Sequence, residues 1–231
     1  ELSFSLNDKT IFFTGIDYLR KFRDGQRNRL VKINACSGAE LPNPAEFTDK
    51  IWQNSYSDDY GIFAEINYNI NEKFILSAGV RNDFIQKNIS DPAEDFTAFY
   101  AGNITPEDQN TTDYFAKALI QLPSNFNLSL AAGKASRTPD LLELFVNHLS
   151  VGQDAYEYLG NPNLDAEKNF QTDFVLTHSG EKHFIYANLF YSYIRDFITA
   201  AVDTTVPRKF LPCREPAFTK VFTNADEVYQ Y

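Results

Sequence analysis

Ile62-Phe63-Ala64-Glu65-Ile66-Asn67-Tyr68-Asn69-Ile70 decides the fold class. The even positions, Ile62, Ala64, Ile66, Tyr68 and Ile70, are apolar, and Glu65, Asn67 and Asn69 lie between them. A repeat of two puts alternate side chains on opposite faces of a strand, whereas a helix would need apolar residues every three or four positions. The polar turn Asn71-Glu72-Lys73 follows, and Phe74, Leu76, Ala78 and Val80 then alternate with Ser77, Gly79, Arg81 and Asp83. Two alternating runs about a short polar turn predict an antiparallel hairpin.

The same unit recurs downstream. Tyr114, Ala116, Ala118, Ile120 and Leu122 lead into the turn Pro123-Ser124-Asn125, and Phe126, Leu128, Leu130 and Ala132 return. Phe170, Thr172, Phe174 and Leu176 lead into Ser179-Gly180-Glu181-Lys182, with Ile185, Ala187, Leu189, Tyr191 and Tyr193 on the way back. Upstream, Thr10 to about Lys21 reads as another strand, and a weaker pattern runs from about Phe218 to the end. The total is about nine strands. Connections near residues 8, 72, 124 and 180 are short; those at about 25–51, 89–110, 137–166 and 201–216 are long. This strict parity is the rule for outer-membrane barrels, which keep short turns on the periplasmic side and long loops outside. The expected fold is therefore all-β, an antiparallel transmembrane β-barrel segment. Outward Tyr68, Tyr114, Phe74, Phe126, Tyr191 and Tyr193 near strand ends fit interfacial aromatic girdles.

Composition narrows the class. No run of 18 apolar residues exists, so no membrane-spanning helix is expected. The net charge of −10, without a basic stripe, argues against nucleic acid as a partner. The chain opens on Glu1, contains no methionine and shows no leader, so it reads as a processed chain or a fragment. An odd strand count conflicts with the even count of single-chain bacterial barrels. Inward Glu65, Asn67, Asn69, Arg81, Asp83 and Asp173 suit a wide, wet lumen, because a small barrel is filled by its own side chains. Residues 1–231 are accordingly read as an arc of a larger barrel.

The residues also resemble a known family, the TonB-dependent outer-membrane receptors. Gly61-Ile62-Phe63-Ala64-Glu65 with Ala78-Gly79-Val80-Arg81-Asn82-Asp83 looks like its common hairpin. Gly133 to Arg137 with Pro139, Glu143 and Leu144 resembles its R-x-P…E-L segment. Gly160-Asn161-Pro162-Asn163-Leu164 with Ala166-Glu167 resembles its G-N-P-x-L-x-x-E element. Phe190-Tyr191 with Ile194, Asp196, Phe197 and Ile198 looks like its strand ending in D-x-I. The resemblance implies a 22-stranded barrel with an N-terminal plug, residence in the bacterial outer membrane, and TonB-energised uptake of a scarce metal complex: siderophore-iron, haem, cobalamin or copper. The plug, TonB-contacting and remaining strand segments fall outside residues 1–231. The implied partners are outer-membrane lipid, the metal chelate, and the TonB complex through the plug.

Among single residues, His148, Tyr156, Glu157 and Tyr158 in the 138–165 loop, with Arg137 at its root, are the candidate ligand-binding set. Aromatic side chains offer a broad apolar face and a polar tip, which suits a chelate of mixed character. The alternative is an ordinary packed loop, with Arg137 and Glu143 paired at its root. Leu141, Leu142, Leu144 and Phe145 predict a short helix starting near Asp140. Cys36 and Cys213 are either one loop-to-loop disulfide or two free thiols. His148, His178 and His183 are scattered, so no metal site is expected. No nucleophile-elbow or nucleotide-binding motif occurs, so neither an enzyme nor a cofactor is expected. Two rival readings remain: a passive porin-like barrel, which would conduct ions, and a soluble β-sandwich ligand-binding module, which would stay monomeric without detergent.

Overall fold

The computed structural model describes residues 1–231 except Ala35, Val151, Gly152, Gln153, Leu211, Pro212 and Arg214. Nine strands form one antiparallel meander: β1 (Leu2–Asn7), β2 (Thr10–Ile33), β3 (Glu40–Asn71), β4 (Phe74–Asp91), β5 (Gln109–Leu122), β6 (Phe126–Arg137), β8 (Glu167–Ser179), β9 (Phe184–Pro207) and β10 (Phe218–Gln230). Neighbours in sequence are neighbours in the sheet, and β7 (Tyr158–Leu159) adds a short parallel pairing to β10. Helices α1 (Glu94–Phe99) and α2 (Leu141–Phe145) lie in the long connections.

The ladder registers preserve the two faces across the sheet. Ile62 opposes Ile16 on one side and Asn82 on the other, and Val80 opposes Ala64 and Tyr114. Leu130 opposes Ala118 and Phe174, which in turn opposes Leu189. An apolar band therefore crosses strand after strand, and it has no covering layer: Ile16 is 80% exposed and Leu189 70%. A sheet whose apolar face stays bare fits hydrocarbon and not water. Tyr60 to Tyr68, both on this face, span nine residues, matching the ~9–11 residues of a bilayer-spanning strand. Tyr18 packs on Tyr60 with ring centres 5.0 Å apart, and Tyr193 on Tyr229 at 5.0 Å. Phe126 meets His178 near the opposite, short-turn end at 4.3 Å. The rings thus mark both edges of the band.

The other face is polar and internally paired. Arg81 donates from Nη1 to Asp17 Oδ2 at 2.7 Å and from Nε to Asp83 Oδ2 at 2.8 Å. Gly61 lies under this group. A Cβ there would sit 2.8 Å from the Arg81 guanidinium carbon and 2.8 Å from Asp17 Oδ1, so a side chain at 61 would have to displace this ion pair. Phe63, Arg81, Asp113, Phe115, Gln171 and Asp173 line a groove of about 460 Å³ on this face.

The 25–51 connection is not the loop its composition suggests. β2 and β3 stay paired from Tyr18↔Tyr60 up to Ile33↔Glu40, ~50 Å of strand at ~3.3 Å per residue. Register shifts at Arg23, Gly25 and Val31 break the alternation that would have announced the strands. Pro42 and Pro44 sit where β3 pairs with β2 alone, since β4 joins only from Asn54. A missing N–H is tolerated on such an open edge. Similarly, β9 continues to Pro207, deep into the connection expected at 201–216.

Candidate functional site

The long connections pack on one another instead of standing free. Phe96, Leu144, Phe145, Val146, Leu159 and Phe222 form the centre of a buried apolar cluster drawn from α1, α2, β7 and β10. Burial of each such side chain contributes ~1.5–3 kcal/mol, so this layer is a rigid shell over the strand ends.

The shell is bolted by the motif residues. Asp140 caps α2, accepting from Leu142 N at 2.7 Å and Glu143 N at 3.0 Å, while Glu143 accepts from Asp140 N at 2.8 Å. This reciprocal capping box satisfies donors that a short helix leaves open. Arg137 grips Glu143 at 2.9 Å and Glu167 at 2.7 Å, and Glu167 also accepts from Ile198 N at 2.6 Å. Arg137 therefore ties β6, α2, β8 and β9 together. Gly160 passes so close to α2 that a Cβ would lie 2.5 Å from Phe145 N. Its N–H donates to Val146 O at 2.7 Å, and Asn161 Nδ2 reaches Phe222 O at 3.0 Å.

Glu157 is the hub of the outer layer. Its buried carboxylate accepts from Lys209 N at 2.9 Å and Phe210 N at 2.9 Å, and lies 3.2 Å from His148 Nδ1. Burial pushes its pKa up, but the His148 ring and the two backbone donors outweigh that and hold it below the usual glutamate value. Tyr158 is buried and donates its hydroxyl to Asp154 Oδ2 at 3.0 Å. Lys220 pairs with Asp154 and stands 4.8 Å from the Tyr156 ring centre. The structure brings His148, Tyr156, Glu157 and Tyr158 into one region: the Glu157 carboxylate holds Lys209 and Phe210, His148 contacts that carboxylate, and Tyr156 and Tyr158 bond to Asp154. Arg137 serves the loop root.

Residues without a motif complete this layer. Arg27 pairs with Asp49 through two bonds, at 3.1 and 2.8 Å, and its guanidinium lies 3.8 Å from the Phe210 ring centre. Arg29 lies 4.4 Å from the same ring, and Phe47 meets its edge at 5.4 Å. Cys36 and Cys213 are joined, with Cα atoms 5.0 Å apart, linking the β2–β3 tip to the Phe210 segment across 177 residues. The sequence clue to this meeting was the cysteine pair, since a bond between them forces the two connections together. Among the described residues no group of three or more His, Cys, Asp or Glu side chains converges on a metal position.

A nine-strand meander with a bare apolar band, short turns at one end and a packed shell at the other is a defined architecture, and the family comparison matches it. The model described as "TonB dependent receptor-like, beta-barrel" matches residues 1–230. The chain belongs to the TonB-dependent receptor β-barrel family. Barrels of this family are bacterial outer-membrane proteins, and its members are receptors and transporters. Among solved structures, the copper transporter OprC is 20% identical with a TM-score of 0.67, covering 96% of this chain and 31% of its own. The Serratia marcescens hemophore receptor HasR, solved with its hemophore HasA and haem, is 12% identical with a TM-score of 0.61, covering 98% and 36%. The FrpB iron transporter from Neisseria meningitidis is 14% identical with a TM-score of 0.58, covering 98% and 31%. The search of curated proteins returns no match. The chain spans about a third of the length of these structures, and at such identities the likeness shows the fold of the TonB-dependent receptor barrel.

Proposed function

We propose that this chain is the wall and outer shell of an outer-membrane receptor that takes up a scarce metal complex, siderophore-iron, haem, cobalamin or copper, with energy from TonB. The observation that carries the reading is the family match along the whole chain together with structural neighbours that transport copper, bind haem or transport iron. The packed shell supports it: it builds a fixed surface at the long-loop end, where a ligand from outside would arrive. In the same reading β1 and β10 are joined by further strands, since among the described residues β1 pairs with β2 alone and β10 with β9 and the two residues of β7, and open edges invite unwanted pairing. The polar groove beside Arg81 and Phe115 then faces the lumen, where a plug would sit.

The test is uptake. Cells with and without the full-length gene are given radiolabelled ferric siderophores, haem, cobalamin and copper, with and without a protonophore. Gene-dependent accumulation that the protonophore abolishes is expected for one of these. Accumulation indifferent to the protonophore, with ion conductance in planar bilayers, would replace this reading by a passive channel.

A further inference from the structure

Among the described residues, the cations gathered around Phe210 are neutralised unequally. Arg27 is paired with Asp49, Arg208 lies 3.5 Å from Glu157, Lys209 is paired with Asp95 and Lys220 with Asp154. Arg29, two positions from Arg27 on the same strand face, has no carboxylate within ion-pair range among the described residues. The seven residues outside the description include no acid. Burial, and after it the nearby Arg27, lowers its pKa, with Asp49 and Glu157 opposing only in part. Arg27, Arg29 and Lys209 all lie within 5.4 Å of the Phe210 ring centre. Crowded like charges on a partly desolvated surface are unfavourable until an anion joins them.

The position is preorganised. Phe210 is held by Glu157 through its N–H at 2.9 Å, and three residues on, Cys213 is bonded to Cys36. Arg29 itself remains partly exposed. An arginine fork with an aromatic plane behind it matches planar oxygen anions, and a fixed site loses little entropy on binding them. The overall charge of −10 would repel an anion at long range, so attraction has to come from this local cluster.

We infer that Arg29, backed by Arg27 and set against Phe210, is a recognition subsite for an anionic oxygen group, carboxylate or catecholate, carried by the metal chelate. The inference rests on the receptor reading and narrows its substrate to negatively charged chelates.

Calorimetry on the purified full-length receptor tests it with three probes: an anionic ferric tris-catecholate, a charge-neutral ferric trihydroxamate and inorganic phosphate. The wild type is expected to bind the catecholate and not phosphate alone. Arg29→Gln should weaken catecholate binding about 10- to 100-fold, the loss of one charge-assisted contact, and Arg29→Lys should retain part of it. Equal catecholate affinity in wild type and Arg29→Gln, preferred binding of the neutral chelate, or phosphate binding as tight as the chelate's would overturn the subsite alone. Failure of every chelate to bind, with no uptake by cells, would overturn the receptor reading and this inference with it.

Discussion

Replacing Glu157 by alanine removes one carboxylate and strands four partners. The backbone N–H groups of Lys209 and Phe210 lose acceptors at 2.9 Å, His148 loses a contact at 3.2 Å, and Arg208 loses its counter-charge at 3.5 Å. Each charge-assisted hydrogen bond contributes ~1.5–3 kcal/mol, and the contributions of a shared acceptor are not additive. Removing one partner of a buried ion pair costs ~3–5 kcal/mol, which we take as the expected cost. The loss is local, because the Cys36–Cys213 bond still tethers the segment. Opening of 207–218 should therefore become about 150- to 4,000-fold more frequent while the sheet stays closed. Hydrogen exchange followed by mass spectrometry reads this directly: amides of Lys209 and Phe210 should exchange faster by that factor, and those of β4 and β5 should not change. Glu157→Gln, which keeps one acceptor oxygen, should fall between. Unchanged exchange at both amides in the alanine variant would refute the clasp.

Three further outcomes follow from the same structure. Because the folded pKa of Glu157 is held below its unfolded value, its stabilising contribution is complete above the ordinary glutamate pKa of ~4.3 and is lost as pH falls through the lower folded value. Pepsin should thus cut 207–218, relative to an unfolded control, only as pH drops below about 4. On β9, Leu189→Lys places a charge on the bare apolar face and should cost ~2–4 kcal/mol of membrane insertion, read as loss of heat-modifiable folded protein on a gel; Asn188→Lys, on the opposite face, should insert normally, and equal behaviour of the two would exclude the assigned faces. The pair Cys36→Ser and Cys213→Ser should leave the barrel folded but expose the β2–β3 tip to trypsin; for a loop this long the constraint on the unfolded chain is worth at most ~5 kcal/mol, so total loss of folding would show a larger role than the tether.

The strands from Tyr60 to Leu122 were legible because the signal is local: a lipid-facing side chain every second residue is repeated in each strand, and short polar turns fix where the chain reverses. The helix over Leu141–Phe145 was legible for the same reason, from its apolar spacing and its capping Asp140. The β2–β3 extension was missed because register shifts at Arg23, Gly25 and Val31 destroy the alternation while the ladder continues. The candidate site was only half legible. His148, Tyr156, Glu157 and Tyr158 stood out by type, but the use of Glu157 as a clasp depends on donors at Lys209 and Phe210, and no local pattern announces contacts across some fifty residues.

Taken alone, the order of residues determined the faces of the sheet, the side on which the long connections lie and the family. Tertiary structure decided which connections meet and which charges stay free. Glu157, Arg27 and Phe210 come from three separate connections, and Asp49 pairs with Arg27 while Arg29, among the described residues, has no carboxylate in ion-pair range. Alternation is imposed on each strand by the bilayer beside it, whereas pairing in the shell depends on the relative positions of loops that only the assembled sheet brings together.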